Sequence, residues 1–100
     1  MKINTINESE FYKILEKEKK FMADFSATWC SDCKSADLLL SEFSEENPML
    51  KIYRIDVDEC TDIANRFGVI NVPSVLVFSN KKIKSRAEGK FTREELSELI

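Results

Sequence analysis

Two thiols separated by two residues are the positions of this sequence best suited to chemistry. Cys30 and Cys33 lie in the stretch Trp29-Cys30-Ser31-Asp32-Cys33-Lys34, between a strand-like apolar run and a helix-like one. If a helix begins here, Cys30 lies at its N-terminus, where unpaired N–H groups and the helix dipole favour an exposed thiolate. Cys33, one turn further on, is more shielded. The pair suits disulfide exchange without a cofactor: Cys30 attacks a substrate disulfide, and Cys33 resolves the mixed disulfide.

The same two cysteines could instead bind zinc or an iron–sulfur cluster, or lie inert in the core. The sequence has no histidine, and its one other thiol is Cys60. A four-ligand metal site would therefore need a carboxylate or a second chain. The polar and aromatic neighbours of the pair indicate a partly hydrated site rather than an apolar one. We therefore predict a redox pair with no metal, and a partly buried Cys60 without a catalytic role.

Composition predicts one globular domain, residues 1–100, with 43% hydrophobic residues and a net charge of −3. The charge is small and the basic residues are scattered, which argues against a nucleic-acid partner. The first eleven residues contain no apolar run typical of a signal peptide, and no later stretch approaches membrane-spanning length. Three cysteines cannot form a closed disulfide framework. These features predict a cytoplasmic protein that does not contact membranes.

Hydrophobic periodicity predicts the elements that must position the cysteines, in the order βαβαβαββα. Asn7 with Glu10, and Thr92 with Glu95, have the spacing of capping boxes that start two helices. The other two helices are expected at the cysteine motif and at residues 61–67, and a hairpin turn at residues 79–82. The predicted strands are residues 2–6, 21–25, 50–57, 74–78 and 83–88. Right-handed crossovers then give a mixed sheet with helices on both faces.

Three features outside the motif make the sequence similar to the thioredoxin family over nearly its whole length. They are Asp24, six positions before Cys30, the pair Val72-Pro73, and Gly89. The resemblance implies the thioredoxin fold, an α/β fold with a central mixed sheet flanked by helices on both faces. It implies a protein-disulfide reductase that acts as a monomer on disulfide-containing proteins and is recycled by thioredoxin reductase or an equivalent donor.

The resemblance also implies a role for each of these residues. Asp24 would be a buried carboxylate beneath Cys33, with a pKa raised by desolvation, that accepts the Cys33 proton through water. Pro73 would follow a cis bond, and the backbone of Val72 would pair with a substrate chain as an added strand. Trp29 and Gly89 would complete this substrate platform. From the residues alone, Asp24 could equally be a solvated acid, Pro73 a trans turn and Gly89 a positive-φ turn.

The sequence departs from the family pattern at four places, which bear on the redox potential of the cysteine pair and on the choice of partner. Ser31-Asp32 replaces the usual Gly-Pro, and the Asp32 carboxylate is expected to repel a thiolate on Cys30, which favours the disulfide and stronger reduction. Arg54 stands where many members have a lysine, and Lys90 stands where many have a small apolar residue. Leu38 replaces a helix-kinking proline. The alternative function is a redox-inactive thioredoxin-fold module that docks a partner through the same platform.

Overall fold

The computed structural model describes residues 3–100, so Lys2 of the first predicted strand lies outside the described residues. These residues form five strands and four helices in the predicted order. The elements are β1 (Asn4–Thr5), α1 (Glu8–Lys17), β2 (Lys20–Ser26), α2 (Ser31–Glu46), β3 (Ile52–Asp56), α3 (Thr61–Arg66), β4 (Ser74–Ser79), β5 (Lys82–Glu88) and α4 (Arg93–Leu99).

The strands form one mixed sheet in the order β1-β3-β2-β4-β5. β1, β3 and β2 are parallel, whereas β4 is antiparallel to both β2 and β5. The register between β4 and β5 shifts between Val77 and Phe78, which marks a bulge next to the hairpin. In that hairpin Asn80 and Lys81 have φ values of 51° and 71°, the positive values that a two-residue turn requires.

The central strand β2 is buried on both faces, and its alternating side chains separate two cores. Phe21, Ala23 and Phe25 pack with α1 and α3 on one face. Met22 lies in the other core with residues of α2 and α4. Because side chains alternate along a strand, Asp24 shares the face of Met22 and points toward α2. The sheet therefore places this buried carboxylate on the cysteine side.

Both predicted capping boxes are present. The Asn7 side chain accepts a hydrogen bond from the Glu10 backbone at 2.8 Å, and the Glu10 carboxylate accepts one from the Asn7 N–H at 2.9 Å. Thr92 and Glu95 form the same reciprocal pair before α4. These local bonds satisfy N–H groups that the first helical turn leaves without partners.

Two predicted strands are shorter in the structure than in the sequence pattern. The strand expected at residues 50–57 covers only Ile52–Asp56, because its partner β2 offers pairing positions from Met22 to Ser26. The first strand, expected at residues 2–6, is reduced to Asn4–Thr5. Within residues 3–100, no helix has the length and apolar character needed to cross a bilayer.

Candidate functional site

Cys30 is the N-cap residue of α2. Its sulfur accepts a hydrogen bond from the backbone N–H of Cys33 at 3.2 Å. On its other side, the Cys30 thiol donates to the carbonyl of Val72 at 3.8 Å. The sulfur thus lies at the positive end of a helix, with a backbone donor directed at it, where negative charge is stabilised.

Cys30 is less exposed than the sequence predicted. Its exposed fraction is 7% and that of Cys33 is 3%, because Ala27, Val57 and Val72 pack around the two cysteines. The expected order of access still holds, since Cys30 is the more open of the two. Both are free thiols. Burial, followed by the hydrogen bond with Cys30, raises the pKa of Cys33 to about 12, so only a trace of this thiol is ionised near pH 7.

Asp24 is fully buried, and neither oxygen of its carboxylate accepts a hydrogen bond from residues 3–100. Desolvation, followed by the charge of Asp37, raises the pKa of Asp24 to about 8, although the charge of Arg54 acts to lower it. Asp24 lies close enough to Cys33 for its charge to raise the pKa of that thiol. The fold therefore buries the Asp24 carboxylate within electrostatic reach of Cys33.

A cavity of about 420 Å³ opens beside Cys33. Its lining includes Cys33 and Lys34 from α2, Asp37 one turn further on, and Arg54 from β3. Charged side chains line part of the cavity, which is open to solvent and large enough to hold several water molecules.

The loop before β4 faces the cysteines. The Val72–Pro73 peptide bond is cis, and the Val72 carbonyl is the group that Cys30 contacts. Gly89 follows β5 with φ of 74°, and its N–H donates to the Pro73 carbonyl at 2.9 Å. A Cβ built at Gly89 would meet no atom of the described residues within 4 Å. Gly89 is therefore a positive-φ turn, and it is also an open position beside Pro73.

Trp29 is 70% exposed, and its indole N–H donates to the Asp58 carboxylate at 2.9 Å. This bond holds one edge of a large apolar ring while the rest of the ring faces solvent. Asp58 belongs to the turn after β3, and no motif in the sequence pointed to it. An aspartate that follows a strand is too common a feature to single out before the fold is known.

Asp32 pairs with Lys90, with 3.9 Å between Oδ1 and Nζ. Both charges were noted in the sequence as departures from the family pattern, but nothing there indicated that they meet. They come together because Gly89 turns the chain back toward α2. Together with Pro73 they line a cavity of about 250 Å³.

Cys60 lies away from this site, in the core formed with α1 and α3. Burial raises the pKa of Cys60, and the charges of Glu8, Asp56 and Glu59 raise it further. It is thus a buried thiol that ionises less readily than usual. Among residues 3–100 there is no group of three or more Cys, Asp or Glu side chains placed to hold a metal ion.

The site thus combines a cysteine pair at a helix start, a cis-proline loop that faces the pair, and a buried carboxylate. A family model described as thioredoxin matches residues 2–100. The chain belongs to the thioredoxin family. Thioredoxin-1 of Saccharomyces cerevisiae is 37% identical over 81 residues, which cover 81% of this chain and 79% of that protein. Thioredoxin of Bacillus subtilis is 38% identical over 80 residues, which cover 79% of this chain and 77% of that protein.

Solved thioredoxin structures share the fold. Mitochondrial thioredoxin 3 of Saccharomyces cerevisiae, in its oxidised form, has a TM-score of 0.86 at 27% identity, covering 96% of this chain and 91% of its own. This confirms the predicted thioredoxin fold, with its mixed sheet between two layers of helices. Family membership and the Cys30–Cys33 pair together make the chain a thioredoxin-type thiol–disulfide oxidoreductase.

Proposed function

We propose that this thioredoxin-family chain reduces protein disulfides with Cys30 as the nucleophile and Cys33 as the resolving thiol. The observation that carries the assignment is the 3.2 Å bond from the Cys33 N–H to the Cys30 sulfur at the start of α2. This bond favours negative charge on Cys30 and holds the second thiol within reach of the first.

The exchange proceeds in two displacements. The Cys30 thiolate attacks one sulfur of the substrate disulfide, the substrate S–S bond breaks, and the other substrate sulfur leaves as a thiolate. Cys33 then loses its proton and attacks Cys30. The Cys30–Cys33 bond forms and the second substrate sulfur leaves, so two electrons pass from the protein to the substrate. A thioredoxin reductase, or an equivalent donor, then restores the two thiols.

Asp24 is proposed as the acceptor of the Cys33 proton. A thiol with a pKa near 12 needs a base at the moment of attack. The ionised form of a carboxyl with a pKa near 8 is a stronger base than an ordinary aspartate carboxylate. The cavity beside Cys33 supports a transfer through water.

The substrate platform is proposed to consist of the exposed Trp29 ring, the Val72–Pro73 loop and Gly89. A substrate chain extended along the loop would pair with the Val72 backbone as a short added strand. The open space at Gly89 leaves room for it. Ser31 and Asp32, between the thiols, are proposed to tune the redox potential. The expected partners are disulfide-containing proteins and the reductase, not nucleic acid or membranes.

Three free thiols suit a reducing compartment, and we expect the protein in the cytoplasm. We also expect residues 1–100 to act as one monomeric domain. Size-exclusion chromatography of the reduced protein tests the monomer, and fractionation of the source cells tests the compartment. An elution volume of a dimer would contradict the first expectation.

Insulin reduction tests the catalytic assignment. The reduced protein should precipitate the insulin B chain, Cys30→Ser should abolish this activity, and Cys60→Ser should leave it unchanged as a matched control. Cys33→Ser should accumulate a mixed disulfide through Cys30 and so trap its substrates. Turnover that survives Cys30→Ser would overturn the assignment.

Separate measurement of the rates of the two displacements tests Asp24 as the proton acceptor. Asp24→Asn keeps the shape of the side chain but removes the basic oxygen. The resolving step should therefore slow by about 10²–10⁴, the usual range for loss of a general base, while the initial attack changes little. A stopped-flow assay with an aromatic disulfide, which releases one coloured thiolate in each step, measures both. Equal slowing of the two steps would contradict the role.

A further inference from the structure

Arg54 lies between two carboxylates and contacts them unequally. Its Nη2 lies 2.9 Å from Asp37 Oδ1, and its Nε donates to the same oxygen at 3.3 Å. The nearest atom of Asp24, Oδ2, is 3.7 Å from Nε, too far for a hydrogen bond. Arg54 also donates to Thr5 Oγ1 at 3.5 Å. Its hydrogen bonds therefore go to Asp37 and Thr5, and Asp24 keeps an ion pair with Arg54 that has no hydrogen bond.

The two carboxylates differ in their environment. The Asp37 side chain is 35% exposed, whereas the Asp24 side chain is fully buried. An arginine aimed at a buried carboxylate would hold it ionised, because a close opposite charge in a desolvated site is a strong interaction. Asp37 prevents this in two ways: it takes the hydrogen bonds of Arg54, and its own negative charge repels charge on Asp24.

We propose that Asp37 is a positioning residue for disulfide exchange: it draws the hydrogen bonds of the Arg54 guanidinium away from Asp24 and thereby sets the pH range over which Asp24 can take the proton of Cys33. The inference rests on the proposed role of Asp24. It also assigns a function to the cavity beside Cys33, whose lining includes both Asp37 and Arg54.

The charged and titratable groups around Asp24 come from two elements. α2 contributes the Cys33 thiol and Asp37, and β3 contributes Arg54. On the other side, β4 places the apolar Val75 opposite Asp24. Lys34 and Asp56 line the outer part of the same cavity. With Arg54 and Asp37 paired, their charges largely cancel, and burial is left as the main influence on Asp24.

Direct titration of Asp24 tests the electrostatic part. The carboxyl carbon of Asp24 in the reduced protein, labelled with ¹³C and assigned with Asp24→Asn, is followed by NMR over a pH series. Asp37→Asn should lower the titration midpoint of Asp24 by about one to two pH units, because the positive charge of Arg54 would then stabilise the ionised Asp24 carboxylate. Arg54→Gln should raise it. Asp37→Glu, which keeps the charge, should restore most of the wild-type midpoint.

Glu42→Gln is the matched control. It removes one negative charge from an exposed position of α2, five residues further along and therefore more than one turn away, and should leave the midpoint in place. Asp37 is itself partly exposed on the helix surface, so the variants should fold. A midpoint that does not move in Asp37→Asn, or moves equally in Glu42→Gln, would overturn the inference.

The rate of the resolving step tests the catalytic part. In Asp37→Asn the pH profile of this rate should shift to lower pH by the same amount as the NMR midpoint of Asp24. In a protein that already carries Asp24→Asn, adding Asp37→Asn should cause no further shift. If the midpoint moves but Asp24→Asn resolves as fast as the wild type, the proposed base is wrong while the control of Asp24 by Asp37 stands. If Asp24→Asn slows resolution but Asp37→Asn moves neither quantity, the base stands and the inference fails.

Discussion

The residues between and beside the two thiols bring opposite charges to the active site. Asp32 replaces the family's usual proline, and its carboxylate repels a thiolate on Cys30. Lys90 lies 3.9 Å from that carboxylate and offsets part of the repulsion. Since a disulfide carries no charge, we expect Asp32 to favour the oxidised form of the pair and Lys90 to favour the reduced form.

Substitution of these two residues should therefore shift the redox equilibrium in opposite directions. Asp32→Asn should favour the thiols, and Lys90→Ala should favour the disulfide. Each shift should stay below about fivefold, because an exposed ion pair contributes at most ~1 kcal/mol. Equilibration with glutathione measures both, and higher salt should reduce both shifts.

Lys13→Ala, on the opposite face of the sheet, is the control for loss of a positive charge. Shifts of the same sign in Asp32→Asn and Lys90→Ala would show that local charge does not set the equilibrium. This pair also shows the limit of sequence reasoning at single residues. Both charges could be singled out by their departure from the family, but their contact depends on a turn that only the folded chain reveals.

At the scale of elements, Arg86 of β5 connects the sheet to the end of α3. Its guanidinium donates to the carbonyls of Phe67 and Gly68, both at 3.0 Å. Carbonyls at the end of a helix lack partners within the helix, and an arginine can satisfy them. The loop that follows leads to Val72 and Pro73, so Arg86 anchors the segment that carries the proposed substrate platform.

Arg86→Met should destabilise the protein and weaken its use of protein substrates. Loss of two charge-assisted hydrogen bonds to backbone should cost roughly 1–3 kcal/mol in urea denaturation. The KM for a protein disulfide should rise more than that for a small disulfide, because only the larger substrate extends along the loop. Lys82→Met, an exposed residue of the same strand, is the control. An unchanged KM ratio would limit Arg86 to a structural role.

Local signals predicted the elements well and their ends less well. The capping boxes at Asn7 and Thr92 act within four residues, so the sequence alone located both helix starts. The extent of β3 depends instead on β2, which pairs with it only from Ile52 to Asp56. The burial of Cys30 was underestimated for the same reason, since Val72 covers it from a loop far along the chain.

At the scale of the whole molecule, one buried carboxyl couples stability to pH. Burial raises the pKa of Asp24 from 3.8 to about 8. Between these values the folded protein holds a proton that the unfolded chain releases, so the stability contributed by the protonated form is complete below pH 3.8. It is lost as the pH rises to about 8.

Asp24→Asn should remove this dependence. The variant should be more stable than the wild type at pH 9, and the difference should shrink toward pH 4 at a rate of roughly 1.4 kcal/mol per pH unit at most. Urea denaturation of both proteins over a pH series measures the difference, in which other titrating groups cancel. A difference independent of pH would mean that Asp24 titrates near its ordinary pKa.

The two edges of the sheet have a further consequence. One edge strand, β1, is only two residues long, and the other, β5, carries Lys82, Lys84, Arg86 and Glu88 beside a bulge. Short length, charge and local twist each discourage a foreign strand from joining a sheet. With pairing discouraged at both edges, an extended chain would add at the Val72 backbone, the position proposed for the substrate, rather than along the rim of the sheet.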